Sequence, residues 1–166
     1  MNLSDLNHDE IIQKSAATAK LYNIGLLMGV FDLFHIGHLN LIRRAKLQCN
    51  FLRIAVLSDD LTYGIKHIYP TIPQDERIEI LRALRDVDEV VLIRTGEETS
   101  RLHEWHKRPF DCFFSGDDNM DNNYWAWEKE ELNKLGVAVV LFSYTKRRSS
   151  SMIRRELRGK GNGERE

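Results

Sequence analysis

The chain has 166 residues, enough for one domain with its own core. Its 24 Lys+Arg against 25 Asp+Glu leave a net charge of −1, which argues against a general nucleic-acid surface. No apolar run approaches the ~20 residues that cross a bilayer, so no membrane span is expected.

The N-terminus, MNLSDLNHDE, lacks the basic and apolar segments of a secretory signal. Cys49 and Cys112 lie far apart among apolar neighbours, the pattern of buried free thiols in a reducing compartment, and a cytoplasmic protein is expected.

Residues 1–22 read as an N-terminal helical extension. Leu6, Ile11, Ile12 and Ala16 recur at loose helical spacing after Ser4 or Asp5 as caps, and no chemistry is evident there. The main domain is expected over 23–158. Its first strand runs from about Gly25 to Val30, and a short loop leads into a helix reaching about Leu47. Leu39, Ile42 and Ala45 make that helix's inner face, with Arg43, Arg44 and Lys46 outward. A second strand over 52–57 ends in Ser58-Asp59-Asp60, and a longer connection over 61–71 carries Lys66. TIPQDERIEILRAL then reads as a helix, with Thr71 and Gln74 as a capping box. This helix is taken to carry both Arg77 and Arg85.

Strands follow over 87–93, 110–114 and 137–142, with helices over 99–107 and 124–135, the latter closed by Gly136. A basic, hydroxyl-rich loop, 144–151, leads to a last helix over 151–157, and the tail 159–166 is expected to be disordered. The alternation predicts an α/β fold: a Rossmann-like, doubly wound, five-stranded parallel sheet in a single domain with an N-terminal helical extension. In such sheets ligands bind beyond the carboxyl ends of the strands at the switch point. The usual strand order places the loop after strand one beside the Gly116-Asp117-Asp118 turn after strand four.

That first loop holds His35-Ile36-Gly37-His38. A transferring phosphoryl group gathers negative charge, and catalysis is mostly positioning plus donors aimed at that charge. Two imidazoles at a helix N-terminus suit this, and Gly37 lets backbone approach a phosphate closely. No G-x-x-x-x-G-K-[ST] loop and no strand-borne G-x-G-x-x-G is present, so P-loop and dinucleotide-fold binding are excluded. His103 and His106 share a helical spacing but no turn chemistry, and read as solvent-facing. Ser149–Ser151 place hydroxyls at a helix start, a second anion site.

Val30-Phe31-Asp32-x-x-His35-x-Gly37-His38 resembles the signature of the nucleotidyltransferase superfamily with the H-x-G-H motif. The finer likeness is to glycerol-3-phosphate cytidylyltransferases and their choline- and ethanolamine-phosphate relatives. Asp75-Glu76-Arg77, Arg85-Asp86-Val87-Asp88-Glu89-Val90, Ser115-Gly116-Asp117-Asp118 and the stretch Tyr144–Ser151 match further family motifs in order, over about residues 24–157.

The resemblance implies roles. Val30 and Phe31 would line the nucleotide site by main chain. His35 and His38 would contact the triphosphate and stabilise the transition state. Asp32 and Lys66 would face a phosphorylated alcohol, with Lys66 counted among the catalytic groups. Arg77 and Arg85 would bind the second phosphate or organise the site. Gly116 and Asp118 would help hold the nucleotide. Tyr144, Thr145, Arg147, Arg148 and Ser149–Ser151 would surround its phosphates. Mg²⁺ would ride on the nucleotide phosphates without a protein cage, and a homodimer is implied.

Departures from the family pattern are Tyr144 for a frequent arginine, Arg147 for a glycine, Ile68 for a second lysine and Asn119 for a tryptophan. The leading expectation is transfer from CTP to a small alcohol phosphate, glycerol 3-phosphate first, giving a CDP-alcohol and pyrophosphate. An adenylyltransferase acting on a sugar phosphate or FMN is the first alternative. A nucleotide-binding protein without activity, its last motif altered by Arg147 and Arg148, is the second.

Overall fold

The computed structural model describes residues 19–116, 123–143 and 149–160. Five strands form one parallel sheet: β1 (Tyr22–Gly29), β2 (Cys49–Leu57), β3 (Glu89–Ile93), β4 (Cys112–Gly116) and β5 (Ala138–Phe142). Their order is β3-β2-β1-β4-β5. The order in which the chain adds strands reverses between β1 and β4, which pair in parallel through Gly25 with Cys112 and Leu27 with Phe114. The helices are α1 (Ile36–Gln48), α2 (Asp59–Lys66), α3 (Gln74–Arg82), α4 (Arg101–Lys107), α5 (Asn123–Lys134) and α6 (Ser150–Lys160). The expected extension falls largely on residues 1–18, outside the described residues. The tail beyond 160 also lies outside them, and α6 continues two residues into the stretch expected to be disordered.

Strand alternation builds two cores. Leu27, Ile54 and Phe114 point to one face and pack with Ile42 and Ala45 of α1 and Ile78 and Leu81 of α3. Leu26, Ala55 and Phe113 point to the other and meet Trp125 and Leu132 of α5. Successive residues on a strand face opposite ways, so each central strand serves both cores. At Gly25 a Cβ would stand 2.5 Å from the Phe114 ring and 2.8 Å from the Cys49 sulfur, so only glycine admits this packing. Gly136 takes φ +80° just after α5, the left-handed turn expected there. Both cysteines are buried and free, and burial pushes Cys49 up to about 11 and Cys112 up to about 12.

Two buried carboxylates sit on the helices of the second face. Glu104 accepts from Arg108 Nε and Nη2, each at 2.7 Å. Glu128 accepts from the Ser100 hydroxyl at 2.9 Å, the Arg101 N–H at 2.7 Å and the Arg101 guanidinium at 2.8 Å. Both side chains are fully buried, and these bonds offset their desolvation; the Glu104 pair closes the end of α4, and the Glu128 bonds pin α5 to the start of α4.

Three local expectations are corrected. The stretch after Ser58 is a helix, α2, not an open connection: the Ser58 hydroxyl accepts the Leu61 N–H, and Asp59 and Asp60 suit its positive end. The capping box does not form. α3 starts after Pro73 without a side-chain cap, and Gln74 instead exchanges hydrogen bonds with Asp59, at 3.0 and 3.1 Å. Arg85 is not on the helix of Arg77, because α3 ends at Arg82.

Candidate active site

The loop after β1 is built around one carboxylate. Phe31 and Leu33 both hold left-handed φ, 56° and 48°, in a region costly for side-chain-bearing residues. Asp32, between them, is 2% exposed and holds the turn in place. Its Oδ1 accepts the N–H of Leu33 at 3.0 Å and of Ile72 at 2.9 Å. Its Oδ2 accepts the Thr71 N–H at 2.9 Å and the Arg154 guanidinium. Its carbonyl accepts the Ser150 hydroxyl at 2.6 Å. Burial alone would raise the carboxyl, but the Thr71 and Ile72 amides and Arg154 outweigh it and hold it below the usual range.

The chain then enters α1. His35 is its N-cap, and its Nδ1 accepts the Gly37 N–H at 3.0 Å. The His35 and His38 rings stack with centroids 4.0 Å apart and planes 25° apart. Phe31 and Phe34 lie 5.4 and 5.5 Å from the His38 ring. Burial lowers His38 to about 4; His35 adds to the fall and Asp32 opposes it. Burial lowers His35 as well. The Nδ1 of His38 is buried without a hydrogen-bond partner. Both rings are therefore neutral near pH 7.

These groups border a cavity of about 380 Å³ beyond the ends of β1, β4 and β5. Of the expected site residues, Val30, Phe31, Asp32, His35, Gly37 and His38 line it on one side. Lys66, at the end of α2, and Gly116, at the end of β4, line it on others. Ser149, Ser150 and Ser151 line it at the start of α6, where the Ser149 hydroxyl accepts the Met152 N–H at 3.2 Å. Asp118, Tyr144, Thr145, Arg147 and Arg148 lie outside the described residues, as do Asp117 and Asn119. His103 and His106 are exposed on α4.

The two remaining arginines are not brought to the cavity. Arg77 is 1% exposed and donates to the carbonyls of Val30, Ile72 and Leu57 and to Asp59 Oδ1. It ties the ends of β1 and β2 to the start of α3, an organising place rather than a ligand's. Arg85 is exposed beyond α3 and away from the lining. Asp32 lines the cavity, but its oxygens are already engaged, so it is a hub of the loop rather than a free contact for an acceptor.

Two lining cations went unmarked in the sequence. Arg44, expected outward, lines the cavity and donates to the Ser143 carbonyl at 3.2 Å. Arg154 lines it while bound to Asp32. Its signal was its place one turn after Ser150, on the same helix face. Among the described residues no three His, Cys, Asp or Glu side chains gather as a metal site.

A model of the cytidylyltransferase-like family matches residues 26–156. The FAD synthase of Pyrococcus abyssi is 38% identical over 74 residues, 45% of this chain and 50% of that protein. The FAD synthase of Thermococcus onnurineus is 41% identical over 68 residues, 41% of this chain and 45% of that protein. The chain spans about half the length of these curated relatives. Among solved structures, a lipopolysaccharide core biosynthesis protein from Thermoplasma volcanium superposes with TM-score 0.61 at 23% identity, covering 76% of this chain and 99% of that one. A protein of unknown function from Archaeoglobus fulgidus gives TM-score 0.56 at 19% identity, over 76% and 93%. These two likenesses show the fold. The family match spans the sheet, the histidine loop and the last helix together, and the chain belongs to the cytidylyltransferase-like family of the nucleotidyltransferase superfamily.

Proposed function

We propose that the chain transfers the AMP moiety of ATP to the phosphate of FMN, giving FAD and pyrophosphate. The observation that carries nucleotidyl transfer is the stacked His35–His38 pair at the N-terminus of α1, in a cavity at the switch point. The relatives named FAD synthase support ATP and FMN over the expected CTP and glycerol 3-phosphate.

An oxygen of the acceptor phosphate attacks the α-phosphorus in line. The bond from that phosphorus to the α,β-bridging oxygen breaks, and its electron pair leaves with pyrophosphate. Neutral imidazoles enter as hydrogen-bond donors, and the charge of the triphosphate draws them toward the protonated form. Ser149–Ser151, at the positive end of α6, suit the β- and γ-phosphates. Lys66 suits the acceptor phosphate. Asp32 and Arg77 hold the loop that sets His35 and His38 in place. Mg²⁺, if bound, would take phosphate oxygens and water as ligands and neutralise their charge, with the protein donors named above left for hydrogen bonding.

The cytidylyl reading keeps support from the family's own description and from the motifs shared with glycerol-3-phosphate cytidylyltransferases. Pyrophosphate release separates the two. With Mg²⁺, ATP and CTP are each paired with FMN, glycerol 3-phosphate and a sugar phosphate. Release with ATP and FMN alone supports the proposal; release with CTP and glycerol 3-phosphate alone replaces it with the second reading.

A further inference from the structure

Large apolar side chains at a surface are usually scattered singly. Beside this cavity they are not. Tyr63, Ile65, Ile68 and Tyr69 are 45%, 52%, 52% and 55% exposed. Tyr63 and Tyr69 already stack, with centroids 4.4 Å apart and planes 15° apart. The chain is bent to bring them together. His67 takes the left-handed conformation at the end of α2, φ 55°, and its N–H donates to the Tyr63 carbonyl at 2.7 Å. That reversal lays Tyr69 back over Tyr63. The same segment reaches the cavity: Thr62 and Lys66 line it from α2, and Ile68 and Pro70, on either side of Tyr69 in sequence, line it from the loop.

From this continuity we infer that Tyr63 and Tyr69 form a stacking platform for a planar aromatic ring on the acceptor, so that this rim selects ring-bearing phosphates over short polyol phosphates. The inference rests on the proposed transfer to FMN and names what recognises the acceptor's far end. Lys66 supplies a cation for the phosphate, and the apolar segment after it offers faces instead of hydrogen bonds. A glycerol chain, whose hydroxyls need polar partners, gains nothing there. An isoalloxazine ring stacks on tyrosine and buries its faces. Ile68, which stands where the superfamily resemblance has a second lysine, puts apolar surface in the cavity lining in place of a charge, and the tyrosine pair lies outside that lining, next to it in sequence.

The test is steady-state turnover of FMN and ATP by the full chain, with the double variants Tyr63→Ala/Tyr69→Ala and Tyr63→Phe/Tyr69→Phe. The alanine variant is expected to raise KM for FMN about tenfold, the scale of losing one base–aromatic stack, with KM for ATP unchanged. The phenylalanine variant keeps the rings and is expected to match wild type. Quenching of flavin emission on binding is expected in wild type and lost in the alanine variant. An unchanged KM for FMN in the alanine variant, with wild type turning FMN over, overturns the platform alone. Failure of wild type to turn FMN over overturns the proposed function, and the platform with it. If the alanine variant instead converts a dimer to monomers in sedimentation with KM for FMN unchanged, the rim is a contact between two copies and the inference falls.

Discussion

His35 and His38 lie ring to ring on either side of Gly37, with centroids 4.0 Å apart. Two protonated imidazoles at that distance would repel each other, and burial already disfavours charge on both. The unliganded site therefore holds a neutral pair. Arrival of a triphosphate reverses the balance, because anionic oxygens favour imidazolium. Phosphate binding is expected to take up a proton near pH 6.5, measurable as a buffer-dependent heat of ATP binding. His38→Ala is expected to reduce that dependence and to lower kcat by about 10²-fold or more, the scale of losing one transition-state donor.

The same shifts set the acid limit of the fold. His38 falls to about 4 in the folded chain against 6.5 in a free imidazole, so the unfolded chain binds more protons between those values. Stability from this source is complete above pH 6.5 and is lost as pH falls toward 4, by about 3 kcal/mol at most. Asp32, also lowered, adds a second loss at more acid pH, as its carboxylate gives up the Thr71 and Ile72 amides and Arg154. The urea midpoint is expected to fall between pH 7 and 4.5, and less steeply in His38→Phe. A flat midpoint over that range would contradict the buried, neutral ring.

Arg77 and Arg85 make a paired prediction. Arg77→Met removes the guanidinium that serves three main-chain carbonyls and Asp59 Oδ1. It is expected to cost about 3–5 kcal/mol in urea unfolding, the scale of breaking a buried charged network. Arg85→Ala, at an exposed position, is expected to stay within about 0.5 kcal/mol and to leave KM for both substrates unchanged. A large KM effect at Arg85 would put it back in the site that the resemblance implied.

Sequence legibility follows the range of each interaction. The β1–loop–α1 unit was readable because its apolar run, turn and helix are contiguous. Alternation gave the parallel sheet, and the usual doubly wound order, taken as an assumption, put β1 beside β4 at the site, as the structure has them. The resemblance left Arg77 two tasks, binding a phosphate or organising the site, and the partners that favour the second were not readable. It sits in the charged run Gln74-Asp75-Glu76-Arg77, which looks solvated, and its carbonyl partners come from β1, β2 and the loop. The capping box at Thr71 failed for a like reason: the Thr71 N–H is taken by Asp32, 39 residues earlier, and Gln74 by Asp59. α2 was missed despite the Ser58-Asp59-Asp60 start signal, since Gly64 interrupts its pattern. Arg43 and Lys46 suggest one solvated face that includes Arg44, whereas the Ser143 carbonyl holds Arg44 at the cavity.

Arg154, like Arg44, lines the cavity, and its bond to Asp32 joins α6 to the histidine loop. Arg154→Ala is expected to cost about 1.5–3 kcal/mol, the range for a hydrogen bond to a charged group, and to lower kcat through the loop. In a double-mutant cycle with Asp32→Asn the two effects are expected to be less than additive in both stability and kcat. Additivity would show that the two side chains act separately.

The thiols give a test of core integrity. Cys49 and Cys112 are fully buried and held well above the usual thiol range, so neither is expected to react with a water-soluble disulfide reagent in the folded chain at pH 8. Both are expected to react at once in denaturant.

Label transfer separates ATP from CTP as the nucleotidyl donor. Wild-type chain is incubated with Mg²⁺, FMN and ATP labelled at the α-phosphorus, and the products are separated. Label is expected in FAD, with release of unlabelled pyrophosphate and no product when CTP replaces ATP. Label that enters product only from α-labelled CTP, with glycerol 3-phosphate as acceptor, would contradict the proposed function.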